Sequence, residues 1–174
     1  MSVFELWLPI LLAGLAVHIA CTIAWTAMPH HKPEWRPMDQ QTDLIAWLKE
    51  KGAAPGQYIF PHHETAEKPD GCQGMMVLWS QPPNMGANIG LTVAHSFAVS
   101  FVIGYLASLG VPAGAKFMEV FQFVTTAGIL THVFCGLPNV IWFRRKILMD
   151  VIDGLVYALI TGAIFAALWP AASA

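Results

Sequence analysis

Residues 131–154, THVFCGLPNVIWFRRKILMDVIDG, set an apolar run on either side of the chain's one tight positive cluster, Arg144-Arg145-Lys146. Trp142 stands just before the cluster and Asp150 and Asp153 just after it. Two apolar runs flanking such a cluster, with a Trp at the boundary, read as two membrane-crossing helices joined by a short basic turn. The turn brings His132 and Cys135 on one helix close in depth to the two aspartates on the next.

The rest of the chain fits the same solvent. Of its 174 residues 56% are hydrophobic and 11% charged, against about 25% charged in a soluble domain. A net charge of −2 with scattered basic residues excludes a nucleic-acid partner. Three cysteines, Cys21, Cys72 and Cys135, match neither a disulfide framework nor a zinc ribbon.

Four apolar segments are expected, at 6–28, 89–109, 117–137 and 147–169. At a rise of about 1.5 Å per residue each can cross a hydrocarbon core about 30 Å thick. The first lacks a basic leader region and is read as a retained helix. With two short connections the fold class is an all-α membrane protein, an antiparallel four-helix bundle. Between the first and second spans, residues 29–88 form a small α+β extramembrane module. It holds an amphipathic helix over 39–51, with Asp39 expected to cap its start and Gly52 its end, and a hairpin of strands 57–60 and 75–79.

Small residues recur every four positions on two spans: Ser96, Ser100, Gly104 and Ser108 on the second, Gly154, Ala158, Gly162 and Ala166 on the fourth. Such stripes let helix backbones approach closely in lipid, within one chain or between copies. The loops at 29–88 and 138–146 carry nearly all the Lys and Arg, so the positive-inside rule puts them in the cytoplasm and both termini outside, in a multi-pass protein of a bacterial inner membrane.

Each span carries a potential ligand on that side: His18, His95, His132 and Asp153, each on the order of 10 Å deep. Three imidazoles and a carboxylate at one level could bind a transition metal, haem or a chlorophyll-type pigment. The same groups could instead make ordinary interhelical hydrogen bonds. His18 with Cys21 and His132 with Cys135 form two HxxC pairs, which are weaker metal candidates than small packing residues. The loop offers His30-His31 and, further on, His62-His63 with Glu64, Glu67, Asp70 and Cys72. These match no known ligand spacing and are expected to be a solvated polar turn.

The stretches PGQYIFP, Pro55 to Pro61, and DGLVYALITGAIFAALWP, Asp153 to Pro170, together with PHHKPEW at the exit of the first span, resemble an uncharacterised family of small bacterial four-helix membrane proteins. The resemblance covers nearly the whole chain and implies a bacterial membrane origin but no activity. No phosphate loop, nucleophile elbow or HExxH motif is present, so an enzyme is not the favoured expectation. The leading expectation is a non-enzymatic accessory or assembly subunit of a larger inner-membrane complex, in contact with lipid and with other membrane subunits or further copies of itself. A metal-, haem- or pigment-binding protein is the alternative, and a small transporter the third.

Overall fold

The computed structural model describes residues 1–62 and 73–172 and forms two compact units, Met1–Trp35 with Met85–Ala174, and Arg36–Asn84. The first holds four long helices: α1 (Trp7–Thr26), α3 (Met85–Gly110), α4 (Phe117–His132) and α6 (Leu148–Ala167). A short α5 (Leu137–Phe143) lies between the last two. Val3–Thr26, Met85–Gly110, Phe117–Phe143 and Leu148–Ala167 are each long and apolar enough to cross a membrane. The second unit contains α2 (Gln41–Glu50) and strands β1 (Gly56–Phe60) and β2 (Gly74–Leu78).

Close contacts fix the helix directions. Along α6 the glycines at 154 and 162 face, in turn, His132 and Thr125 of α4, so α4 and α6 run antiparallel. Gly14 of α1 meets Phe97 of α3, while Gly104 of α3 meets Ile10 of α1, so that pair is antiparallel too. Gly110 of α3 meets Phe123 of α4, which places the C-terminal end of α3 beside the start of α4. The small-residue stripes are what these interfaces use. Ser96, Ser100 and Ser108 are buried, as are Gly154, Ala158, Gly162 and Ala166, and the Ser100 hydroxyl donates to the carbonyl of Ile10 at 2.8 Å. Leu6, Ile10, Ile103, Val120, Val124 and Phe165 fill the centre.

The outer surface is as apolar as the centre. Leu11, Leu15, Ile19, Ile23, Phe101, Leu130 and Leu159 all point outward and are exposed. A helix apolar on every side is stable only with apolar neighbours on every side, and four helices cannot cover one another completely. In a membrane, lipid tails would supply the remainder.

Three boundaries depart from the sequence expectation, and proline explains two. α3 begins at Met85 rather than 89, directly after Pro82-Pro83-Asn84, because a helix can start just past a proline. Likewise Pro138 does not end the third span; it sits in the first turn of α5, where its missing N–H is no loss. Between α4 and α5 the chain tightens through a 3-10 turn, Phe134–Gly136, and α5 closes on Arg144 in the left-handed region at φ 48°. α2 starts from Gln40, and no side chain caps it, so Asp39 does not take the expected role. Its C-terminal end is as expected: Gly52 has φ 63°, and the Ala53 N–H bonds to the Leu48 carbonyl at 2.9 Å, a Schellman closure.

The hairpin is antiparallel in the register Gly56↔Leu78 to Phe60↔Gly74. At the end of the bundle remote from the basic turn, Trp169 Nε1 donates to the Pro112 carbonyl and Gly114 N to the Pro170 carbonyl, both at 2.9 Å.

Candidate metal centre

At the other end α1 stops at Thr26, and the prolines at 29 and 33 shape the next residues. Lys32 N–H bonds to the Pro29 carbonyl at 3.1 Å and Glu34 N–H to the His31 carbonyl at 3.0 Å, so HHKPE is wound into tight turns. Adjacent side chains in a strand would point to opposite faces. Here the turns let His30 and His31 face the same way, with ring centroids 4.4 Å apart. The Trp25 ring stacks flat on His31 at 3.9 Å, and Lys146 Nζ donates to the Pro33 carbonyl at 2.9 Å, tying the segment to the basic turn.

α6 begins beside it. Asp150, Asp153 and Tyr157 lie at i, i+3 and i+7, on one helical face. The Asp153 carboxylate receives His30 Nε2 at 3.2 Å from both its oxygens and His31 Nε2 at 3.0 Å. Tyr157 OH donates to Asp153 Oδ2 at 3.4 Å. On its far side His31 Nδ1 meets Glu34 Oε2 at 2.8 Å, and Arg145 pairs with Asp150 at 3.0 Å. His31 is 4% exposed, and the side chains of Glu34 and Asp153 are 11% and 13% exposed. Burial works to lower the His31 pKa, but hydrogen bonds to Glu34 and Asp153, helped by their charges, outweigh it and leave it raised above 6.5. His31 therefore favours the imidazolium, bonded at both nitrogens.

Among the described residues two groups of donors gather within 4.8 Å: His30, His31 and Asp153, and His31, Glu34 and Asp150. The first has the spacing of a ligand set. Metal bonds of about 2.1 Å place neighbouring ligands about 3.0 Å apart in octahedral and about 3.4 Å in tetrahedral geometry. The two imidazole-to-carboxylate separations are 3.0 and 3.2 Å. Charge agrees with spacing. Without metal, Arg145 and a protonated His31 offset two of the three carboxylates, Glu34, Asp150 and Asp153, and leave one anion in surplus. One divalent ion, bound with loss of the His31 proton, would together with Arg145 balance all three.

Next to this cluster lies a cavity of about 230 Å³, lined among others by Trp25, His132, Arg145, Asp150, Asp153 and Tyr157. Of the ligand candidates read from the sequence, His132, Cys135 and Asp153 line it. Asp153 gathers with His30 and His31, while His18, His95 and His132 belong to no group of three donors within 4.8 Å among the described residues. His132 lies edge-on to the Tyr157 ring, centroids 5.9 Å apart, with His95 near enough to act on it electrostatically. His18 Nδ1 is buried without a hydrogen-bond partner, and the Cys21 thiol faces the Tyr157 hydroxyl. Cys135 is exposed and donates to the Thr131 carbonyl at 2.6 Å. His62 is exposed in the other unit, and His63, Glu64, Glu67, Asp70 and Cys72 lie outside the described residues.

One expectation is corrected: His30-His31 is not a solvated turn but a nearly buried pair fixed against Asp153. The available sequence signal was the string PHHKPE, two imidazoles and a carboxylate between prolines directly after a span. Comparison with protein-family models, curated proteins and solved structures found no match to this chain. The structure shows a helical bundle whose four long helices are apolar enough to cross a membrane, with a polar cluster at one end, and the functional reading rests on the cluster itself.

Proposed function

We propose that this chain is an integral membrane protein that binds one divalent first-row transition ion, zinc or a metal of similar preference, through His30, His31 and Asp153. The observation that carries the reading is the convergence of both imidazole Nε2 atoms on one largely buried carboxylate at ligand-to-ligand spacing. The donor set suits it: two imidazoles and a carboxylate serve zinc and the neighbouring divalent ions. Glu34 on His31 Nδ1 takes the part of the outer carboxylate that fixes a ligating imidazole. An ion bound here would replace the hydrogen bond between His31 Nε2 and Asp153. By the positive-inside count the centre lies at the cytoplasmic face.

Metal content of the protein purified in mild detergent, loaded with zinc and desalted, tests this. One equivalent should remain bound, and the double variant His31→Ala/Asp153→Asn should retain almost none. Equal retention by both proteins, or no retention by either, would refute it.

A second reading is favoured by the Arg36–Asn84 unit. Ile45 and Trp47 on α2, and Ile59, Val77 and Trp79 on or beside the hairpin, are exposed. Apolar surface of this kind suits the expected role as an accessory subunit of a larger membrane complex, with the unit seated on a partner. Crosslinking from position 47 or 79 in native membranes tests it; labelling by lipid probes alone, with no protein adduct, would count against it.

A further inference from the structure

Resting on the metal centre proposed above, we infer that the ion keeps an exchangeable coordination position open to the adjacent cavity, which takes a small anionic or neutral oxygen or nitrogen donor, water included. The protein supplies three ligands, and both imidazoles come from one direction, the turn after α1. Three-ligand sites of this composition characteristically leave a position free, whereas structural sites are closed by four. His30 and His31 do not line the cavity; Asp153 and the Trp25 ring stacked on His31 do. An ion held by these three residues would have its Asp153 side next to the cavity.

The cavity is built to receive such a donor. Its volume of about 230 Å³ is ample for a small donor. Tyr157 OH, 3.4 Å from Asp153 Oδ2, and the His132 ring packed against Tyr157 line the cavity and would offer hydrogen-bonding partners to a metal-bound ligand. Arg145, paired with Asp150 on the cavity wall, supplies positive charge on the approach. Gly136 leaves part of the wall without a side chain: a Cβ added there meets nothing within 4 Å, and the backbone at φ −86° accepts any residue. A position of this kind is where an ion binds and acidifies water.

Cobalt(II) titrated into the full chain in detergent gives the test, because its visible bands report both occupancy and coordination. Cobalt should bind one-to-one, azide should change the bands saturably, and Gly136→Phe should weaken azide by roughly tenfold or more while cobalt stoichiometry stays at one. Cobalt bound one-to-one with bands indifferent to azide overturns the open position and leaves the metal centre standing. Azide binding equally well to Gly136→Phe and to a second cavity-filling variant, Val151→Phe, overturns its placement in the cavity. Failure of cobalt to bind at all overturns the metal centre and this inference with it.

Discussion

Gly154 couples the packing of the bundle to the geometry of the site, and Gly154→Ala probes both. A Cβ at this position would lie 2.7 Å from the His132 carbonyl oxygen and 2.9 Å from Val133 Cγ2, where ordinary contact begins at 3.4 Å. The nearest atom is backbone and cannot rotate aside, so α6 must retreat from the end of α4 by about 0.7 Å, the shortfall in that contact. Overpacking of this size costs about 1–3 kcal/mol, and the better helix propensity of alanine returns up to about 1 kcal/mol. A net loss of about 1–2 kcal/mol follows. Asp153 is the adjacent residue and moves with the backbone. A shift of about 0.7 Å exceeds the tolerance of about 0.2 Å on metal–ligand distances, so zinc affinity should fall about tenfold or more. Gly104→Ala is the control: its Cβ meets Ile10 Cγ1 at 2.8 Å and Phe165 Cε1 at 3.3 Å, in the bundle core rather than beside Asp153. It should cost a comparable amount, about 1–2 kcal/mol, and leave zinc affinity unchanged. Thermal unfolding in detergent and zinc titration of the three proteins measure these quantities. Wild-type stability and affinity in Gly154→Ala would refute the close approach of α4 and α6 at the site.

Glu34→Gln keeps an acceptor for His31 Nδ1 but removes the charge, and should weaken zinc binding about 10- to 100-fold with stoichiometry intact, as read by chelator competition. In the metal-free protein the folded pKa of His31 is raised, so its contribution to stability is fully present below its unfolded value of about 6.5 and is lost as pH rises through the folded value. Thermal unfolding without metal should therefore show stability falling over that window, and His31→Gln should flatten the fall. Arg144 adopts φ 48°, costly for a side-chain-bearing residue, so Arg144→Gly should stabilise the turn by about 0.5–1 kcal/mol in the same unfolding assay.

Four helices of spanning length and a two-stranded hairpin were legible because hydropathy and period are local properties. The helix starts were less so. Pro82-Pro83 and Pro138 read as terminators, yet a proline is equally at home in a first turn, and only the surrounding chain determines which applies. The small residues on the second and fourth spans announced close packing, but not that α6 would place its stripe on α4 rather than on another copy. For the site, counting depth along helices found Asp153 and His132, since both lie on regular helices where rise per residue is constant. It could not place His30 and His31. They sit in a proline-bounded exit with no helical period, and their approach to Asp153 depends on a tertiary return held by the Trp25 stack and the Lys146 bond to Pro33.

The cluster joins residues 123 positions apart in the chain, His30 from just after the first span and Asp153 from the last described helix. During synthesis the imidazoles leave the ribosome long before their carboxylate exists, and a chain that has inserted only its first helices has nothing to complete the set. Occupancy of the centre by an ion would then report that membrane insertion has run through α6 and that α1 and α6 have found each other. The stability that such an ion would confer would fall on finished molecules alone, and would give quality-control proteases a chemical distinction between complete and stalled insertions.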